Sequence, residues 1–284
     1  MEPEIEEVMA ISDVAERVRQ AHAMVGRHQS LSNEAARIRR EGIDELTQGG
    51  MTQTALGEML GLSRSRISRL ISTAPQVERA LLGTGPMTIA IGGKYEAGKK
   101  RPGVVVSEPA SKAGALLIGM CNEYGLGVAS SFGTYEVVPP PGTVRVNRDD
   151  LIVLGSPRIL PLLEQIMGSD DHYRFEHNKR GRWHLVSIAD DVEHLSPADS
   201  GDPVDYAYIG RLPRPDGHGT FLYLAGIHAE GTLGAATFLS QNIIELYREV
   251  KTRRWSTLIS CHYDPLTRDV VSTERIAPIR STRA

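Results

Sequence analysis

The feature that most constrains this chain is a change of texture across residues 72–86, "STAPQVERALLGTGP". Before it, apolar residues recur at helical spacing. Val8, Ile11, Val14, Val18, Ala21 and Val25 follow one another at three- and four-residue steps until Gly26, which predicts an amphipathic helix. A second helix is expected from "LSNEAARIRREGIDEL", capped by Ser32 or Asn33, with Ala35, Ile38 and Leu46 on one face and a stop at Gly49-Gly50. Two short helical segments follow. Then Pro75, Gly83, Gly85 and Pro86 surround at most one helical turn, and beyond them β-branched runs separated by Gly, Pro and Asp take over.

Those runs are "MTIAI", "GVVVSE", "GVASSF", "DLIVLGS", "RWHLVSIA", "DYAYIGRL", "TFLYLAG", "STLISCHY" and "DVVSTERI". Helical stretches lie between some of them, notably "SKAGALLIGMCNEYG", "PRILPLLEQIMG" and "GAATFLSQNIIELYREVKTRR". Strands alternating with helices imply parallel pairing, whereas "YRFEHNKRGRWHLVSI" reads as a hairpin. The expected organisation is a helical domain over residues 1–74, a linker over 75–86 and a mixed-sheet, Rossmann-like α/β domain over 87–284.

The 284 residues carry a formal net charge of −3, which excludes a uniformly basic protein that coats nucleic acid and leaves room for a local basic patch. Cys121 and Cys261 stand far apart with no ligand spacing around them, so neither a disulfide framework nor a structural zinc site is expected. The acidic start "MEPEIEEVMAISD" is not a secretory signal, and no later stretch is long and apolar enough to span a bilayer. The expectation is a cytoplasmic protein without a membrane partner.

The strongest local motif is "TQTALGEMLGLSRSRISRLI", Thr52 to Ile71. Thr52 stands as a cap with Gln53 behind it, Leu56 and Leu60 lie one turn apart and are expected to face the core, and Gly61 sits where a tight turn needs a positive φ. Leu62 packs under that turn, Ser63 caps the next helix, and Ile67 and Leu70 anchor it. The stretch resembles the helix-turn-helix of bacterial transcriptional regulators. One departure is Gly57, where the family usually carries Ala. The resemblance covers about twenty residues and implies double-stranded DNA as partner, with Thr52, Gln53, Ser63, Arg64, Ser65, Arg66, Ser68 and Arg69 facing the major groove and flanking phosphates. It also implies a homodimer or higher homo-oligomer, because such proteins double their contacts across two half-sites. The long first helix and the C-terminal domain are both candidate dimer surfaces; the alternative is that the first helix only covers the motif's core.

"GKYEAGKK", Gly93 to Lys100, satisfies GxxxxGK, yet Lys100 takes the position of the magnesium-binding hydroxyl and Arg101-Pro102-Gly103 stops the required helix. It reads as a basic loop or hairpin carrying Lys94, Lys99, Lys100 and Arg101. Two other stretches run strand, small residues, helix, the order that places free amides and a helix dipole at a strand end. They nominate Gly155, Ser156 and Arg158, and Gly226, His228, Gly231, Thr232 and Gly234, as rims of a ligand site for a small phosphorylated or nucleotide-like effector. Ser107 and Glu108 mark a similar strand end. The alternative reading of the glycines is close strand–helix packing.

Catalysis has little support. Ser156 lies in Gly-Ser-Pro rather than in a nucleophile elbow, and His228 has only Glu108 or Asp205 as nominal partners. His172, His177, His184 and His194 cluster in sequence but fall in a hairpin-like region where they are expected to point different ways, and no ligand pair such as HExxH is present. The expected function is a DNA-binding transcriptional regulator that senses a small molecule, with no cofactor, metal or enzymatic activity. An enzyme acting on a nucleotide or sugar phosphate, and a partition or architectural protein, remain the alternatives.

Overall fold

The computed structural model describes residues 3–73, 76–130 and 133–282. The chain divides into two compact units, Met1–Val77 and Glu78–Ala284. The boundary expected at residues 74–75 lies outside the described residues, as do Ser131 and Phe132 at the end of "GVASSF".

The first unit holds α1 (Pro3–Ala10), α2 (Val14–Gln48), α3 (Gln53–Leu60) and α4 (Arg64–Thr73). The helix break falls at residues 11–13 rather than at Gly26. Asp13 is the reason: its carboxylate accepts from the amides of Ala15 at 2.9 Å and Glu16 at 3.5 Å, capping α2. Gly26 lowers helix propensity without supplying any competing bond, so α2 runs through it and through Ser32-Asn33. Glu4 of α1 pairs with Arg27 and His28 of α2.

The core of this unit is Ile43, Leu56 and Ile67, with Met51, Leu62, Leu70 and Ile71 packed against it. Three expectations change here. Ile38 is 57% exposed and Leu46 36%, because the inward face of α2 is set by Ile43; Leu60 is 39% exposed, since α3 turns only Leu56 fully inward. The periodic residues Val14, Val18 and Val25 also face solvent.

A short 3₁₀ turn, Val77–Leu81, follows. Residues expected as linker are packed: Ala80, Leu81 and Leu82 are buried, and the Arg211 guanidinium donates to the carbonyls of Ala80, at 3.0 Å, and Leu81. The remaining elements are β1 (Thr88–Gly92), β2 (Lys94–Tyr95), β3 (Val104–Val105), α5 (Glu108–Glu123), β4 (Glu136–Val138), β5 (Leu151–Leu154) and α6 (Pro161–Met167). They continue as β6 (Tyr173–His177), β7 (Trp183–Ser187), β8 (Val192–Leu195), β9 (Val204–Pro213) and β10 (Thr220–Gly226). Last come α7 (Ala229–Val250), β11 (Arg254–Tyr263), β12 (Val270–Arg275) and β13 (Arg280–Thr282).

Eight strands form one mixed sheet in the order β12-β11-β9-β10-β5-β1-β4, with β13 also on β11. Strands β4, β1, β5 and β10 run parallel; β9, β11, β12 and β13 pair antiparallel. Residues of alternating parity line the two faces, as a pleat requires. One face, carrying Ala90, Val153, Tyr208, Tyr223 and Leu258, packs on α6 and on the small β6-β7-β8 sheet through Leu163, Met167, Tyr173, Phe175 and Leu185. The other is covered by α5 and α7, where Gly114 meets Ile91 and Gly234 meets Cys261. "GVASSF" makes only a single bridge, Val128 to Met87, among the described residues. Among the described residues no helix is long and apolar enough to cross a membrane.

Candidate functional site

The first candidate surface is α4. Thr52 caps α3 by accepting from the Ala55 amide at 3.2 Å, and Gly61 ends α3 at φ +66°, the left-handed region. Ser63 then caps α4, its hydroxyl accepting from the Arg66 amide at 3.3 Å and lying 3.0 Å from the Ser65 hydroxyl. With Ile67 fully buried, Arg64, Ser65, Arg66, Ser68 and Arg69 are left exposed on the opposite side. Gln53 occupies the first position of α3. Gly57 has a specific cause: a Cβ there would stand 2.5 Å from the Leu62 carbonyl oxygen, so the backbone following the turn closes directly over it.

The second candidate lies in the α/β unit, at the carboxyl ends of the parallel strands. From β1 the chain leaves through α5 to β4 on one side; from β5 it leaves through α6 toward β9 and β10 on the other. Connections that diverge from neighbouring parallel strands leave a crevice between them, the usual ligand position in open α/β sheets. A small open crevice of about 30 Å³ lies there, lined by Ile91 and Gly92 at the end of β1, Lys94 of β2, Ser107 and Ala110 at the start of α5, Leu154 at the end of β5 with Gly155, Ser156, Arg158 and Ile159 after it, and His228, Ala229 and Thr232 at the start of α7.

The two glycine turns therefore converge on one crevice, which Gly155, Ser156, Arg158, His228 and Thr232 all line. Gly155 is held at φ +127°, a conformation that favours glycine and turns the chain sharply into Ser156. Gly226, Gly231 and Gly234 do not line it. A Cβ on Gly226 would collide with the backbone at His228 and Thr232, one on Gly231 with Asp205, and one on Gly234 with Cys261, so these three glycines serve close packing of α7 on the sheet.

Asp205, expected as a partner of the His228 ring, instead organises the backbone at the start of α7. It is fully buried on β9 and accepts from the backbone amides of His228 at 2.8 Å and Gly231 at 2.9 Å, and from the Ser196 hydroxyl at 2.6 Å. Burial raises its pKa, while Ser196 and the nearby His228 act in the opposite direction. The His228 ring instead faces Asp199, Nε2 to Oδ1 at 3.1 Å. Thr232 is turned inward, its hydroxyl accepting from the Gly226 amide at 2.9 Å. Glu108 points away and pairs with Lys112 at 3.0 Å.

Four polar side chains at the crevice keep their capacity. Ser156 is 5% exposed, yet its hydroxyl has no hydrogen-bond partner among the described residues. Ser107 makes no side-chain cap to α5. Lys94 and Arg158 are exposed and have no ion-pair partner among the described residues. Lys94 belongs to the β2–β3 hairpin that replaces the rejected P-loop; its contribution was legible as charge but not as position, because position depends on how the hairpin leaves β1. Among the described residues no three His, Cys, Asp or Glu side chains gather as a metal site; His184 is buried and His194 meets Ser187 at 3.0 Å. In comparisons with protein-family models, curated proteins and solved structures, nothing matches the chain.

Proposed function

We propose that this chain is a DNA-binding transcriptional regulator whose α/β unit senses a small ligand in the crevice between β1 and β5. The single observation that carries the reading is the division of α4 into a fully buried anchor, Ile67, and an exposed face holding Arg64, Arg66 and Arg69 with Ser65 and Ser68. Cationic side chains on one face of a capped short helix suit the major groove and its phosphates, and a helix-turn-helix presents its second helix in this way. Thr52, Gln53 and Ser63 then contribute phosphate contacts through side chains and helix-end amides. The apolar residues left exposed on α2, Val14, Val18, Val25, Leu31 and Ile38, support a homodimer that brings two such helices to two half-sites. The ligand acts by binding one arrangement of the dimer better than another.

The test uses duplexes enriched from a random pool by the purified protein. Replacing Arg64, Arg66 and Arg69 together with Ala abolishes retardation of those duplexes in a gel-shift titration while leaving the circular-dichroism melt in place. Unchanged retardation would sink the reading.

A second reading is an enzyme acting on a nucleotide or sugar phosphate. It is favoured by the His228–Asp199 pair at the rim of the crevice that also holds the unpaired Ser156 hydroxyl. New product from nucleotide pools that disappears in His228→Ala would support it; a melting shift without turnover supports the sensor.

A further inference from the structure

We infer that the crevice is a seat for a phosphate monoester, the dianionic terminal phosphate of a small molecule, received by the Ser156 hydroxyl between Lys94 and Arg158. The inference rests on the ligand-sensing reading above and gives its site a chemical class. Helix ends alone would not support it, because Asp205 already occupies two of the first amides of α7. The independent observation is Ser156, nineteen-twentieths buried at the mouth of β5 with a hydroxyl that no described residue satisfies. The Ser156 residue is held in place by its burial while its hydroxyl opens onto the crevice, so its hydrogen-bonding capacity is available to a ligand oxygen there.

Charge selects the class. Lys94 and Arg158 bring two positive charges to the crevice. The amino ends of α5 and α7 add about half a charge each, and Asp205 takes away about one, so the net is close to +2. A phosphate monoester carries about −1.5 to −2 at neutral pH, which matches. A phosphodiester or carboxylate brings only one negative charge, and a diphosphate brings more than the crevice neutralises. Glu108 is paired with Lys112, and Asp199, which bonds the His228 ring, does not line the crevice. Ser107, unused as a cap, adds a second hydroxyl on the α5 side. The apolar residues Ile91, Ala110, Leu154 and Ile159 form the remainder of the wall and carry no further charge.

The experiment is calorimetric titration of the full-length protein with inorganic phosphate, pyrophosphate, ribose 5-phosphate, AMP, 3′,5′-cyclic AMP and adenosine. Inorganic phosphate, ribose 5-phosphate and AMP bind, with affinity rising through the second phosphate ionisation near pH ~6. Pyrophosphate and cyclic AMP bind roughly tenfold more weakly than AMP, and adenosine does not bind. Ser156→Ala, Arg158→Gln and Lys94→Gln each weaken AMP binding by about tenfold with an unchanged melting curve, whereas Arg180→Gln, on the β6–β7 turn, leaves it unaltered. Equal affinity for AMP and cyclic AMP, equal affinity for AMP and adenosine, or failure of all three monoester and phosphate probes to bind at millimolar concentration overturns the inference. Retardation of DNA measured on the same samples separates it from the reading beneath it. Phosphate binding that leaves DNA affinity unchanged keeps the seat and removes the sensor; a neutral compound that shifts DNA affinity while phosphates do not bind does the reverse.

Discussion

At the scale of single residues, Gly57 and Gly26 make a matched pair. Both sit inside helices, but a Cβ at Gly57 would meet the Leu62 carbonyl oxygen at 2.5 Å, and one at Gly26 would meet nothing within 4 Å. Gly57→Ala should therefore lower stability by about 1–3 kcal/mol, while Gly26→Ala raises it by about 0.5–1 kcal/mol, both read from urea titrations of helical signal. Equal effects would mean that the turn after α3 is looser than described. The two thiols give a pH prediction. Burial pushes Cys121 and Cys261 from the ordinary 9.0 up to about 12. The unfolded chain loses these protons first, so the stability they lend is intact below pH 9.0 and is lost as pH rises toward about 12. The urea midpoint should fall over that window, less so in the Cys121→Ala, Cys261→Ala double variant. Neither native thiol should react with a disulfide reagent near neutral pH.

At the scale of elements, α7 depends on a residue from β9. Asp205 satisfies the amides of His228 and Gly231, and α7 has no capping side chain of its own. Asp205→Ala leaves those amides unpaired in a buried place, and the expected loss is about 2–4 kcal/mol with faster hydrogen exchange at His228 and Gly231. Unchanged exchange there would remove Asp205 from this role. This contact also marks the limit of what the sequence could tell. The strand ends at Gly155 and Gly226 were legible because small residues follow apolar runs there, and the anchor Ile67 was legible from its spacing. The cap from Asp205, twenty-odd residues upstream in a strand read only as "DYAYIGRL", was not, because it depends on β9 lying antiparallel beside β10. Three short strands, β4, β8 and β13, carry too few residues for alternation to appear. The break at Asp13 was hidden for the opposite reason: its neighbours keep a helical period straight through it, and only the side-chain cap interrupts the ladder.

At the scale of the whole molecule, one unit carries the arginine face of α4 and the other the crevice proposed to seat an anion. The exposed stripe on α2 makes the oligomeric state a prediction: sedimentation should give a dimer for the native chain, and Val18→Glu with Val25→Glu should shift it to monomer and weaken DNA binding. A monomeric native chain would leave the stripe without its assigned partner. The most direct test of the central claim is the salt dependence of DNA affinity, measured by fluorescence anisotropy between low and near-physiological ionic strength. Each phosphate contact contributes about −0.9 to the slope of log K against log salt, so replacing Arg64, Arg66 and Arg69 with Ala should flatten that slope by about 2 to 3. A slope identical in the native and triple-Ala proteins would contradict the account, because the arginine face of α4 would then not be where the protein meets DNA.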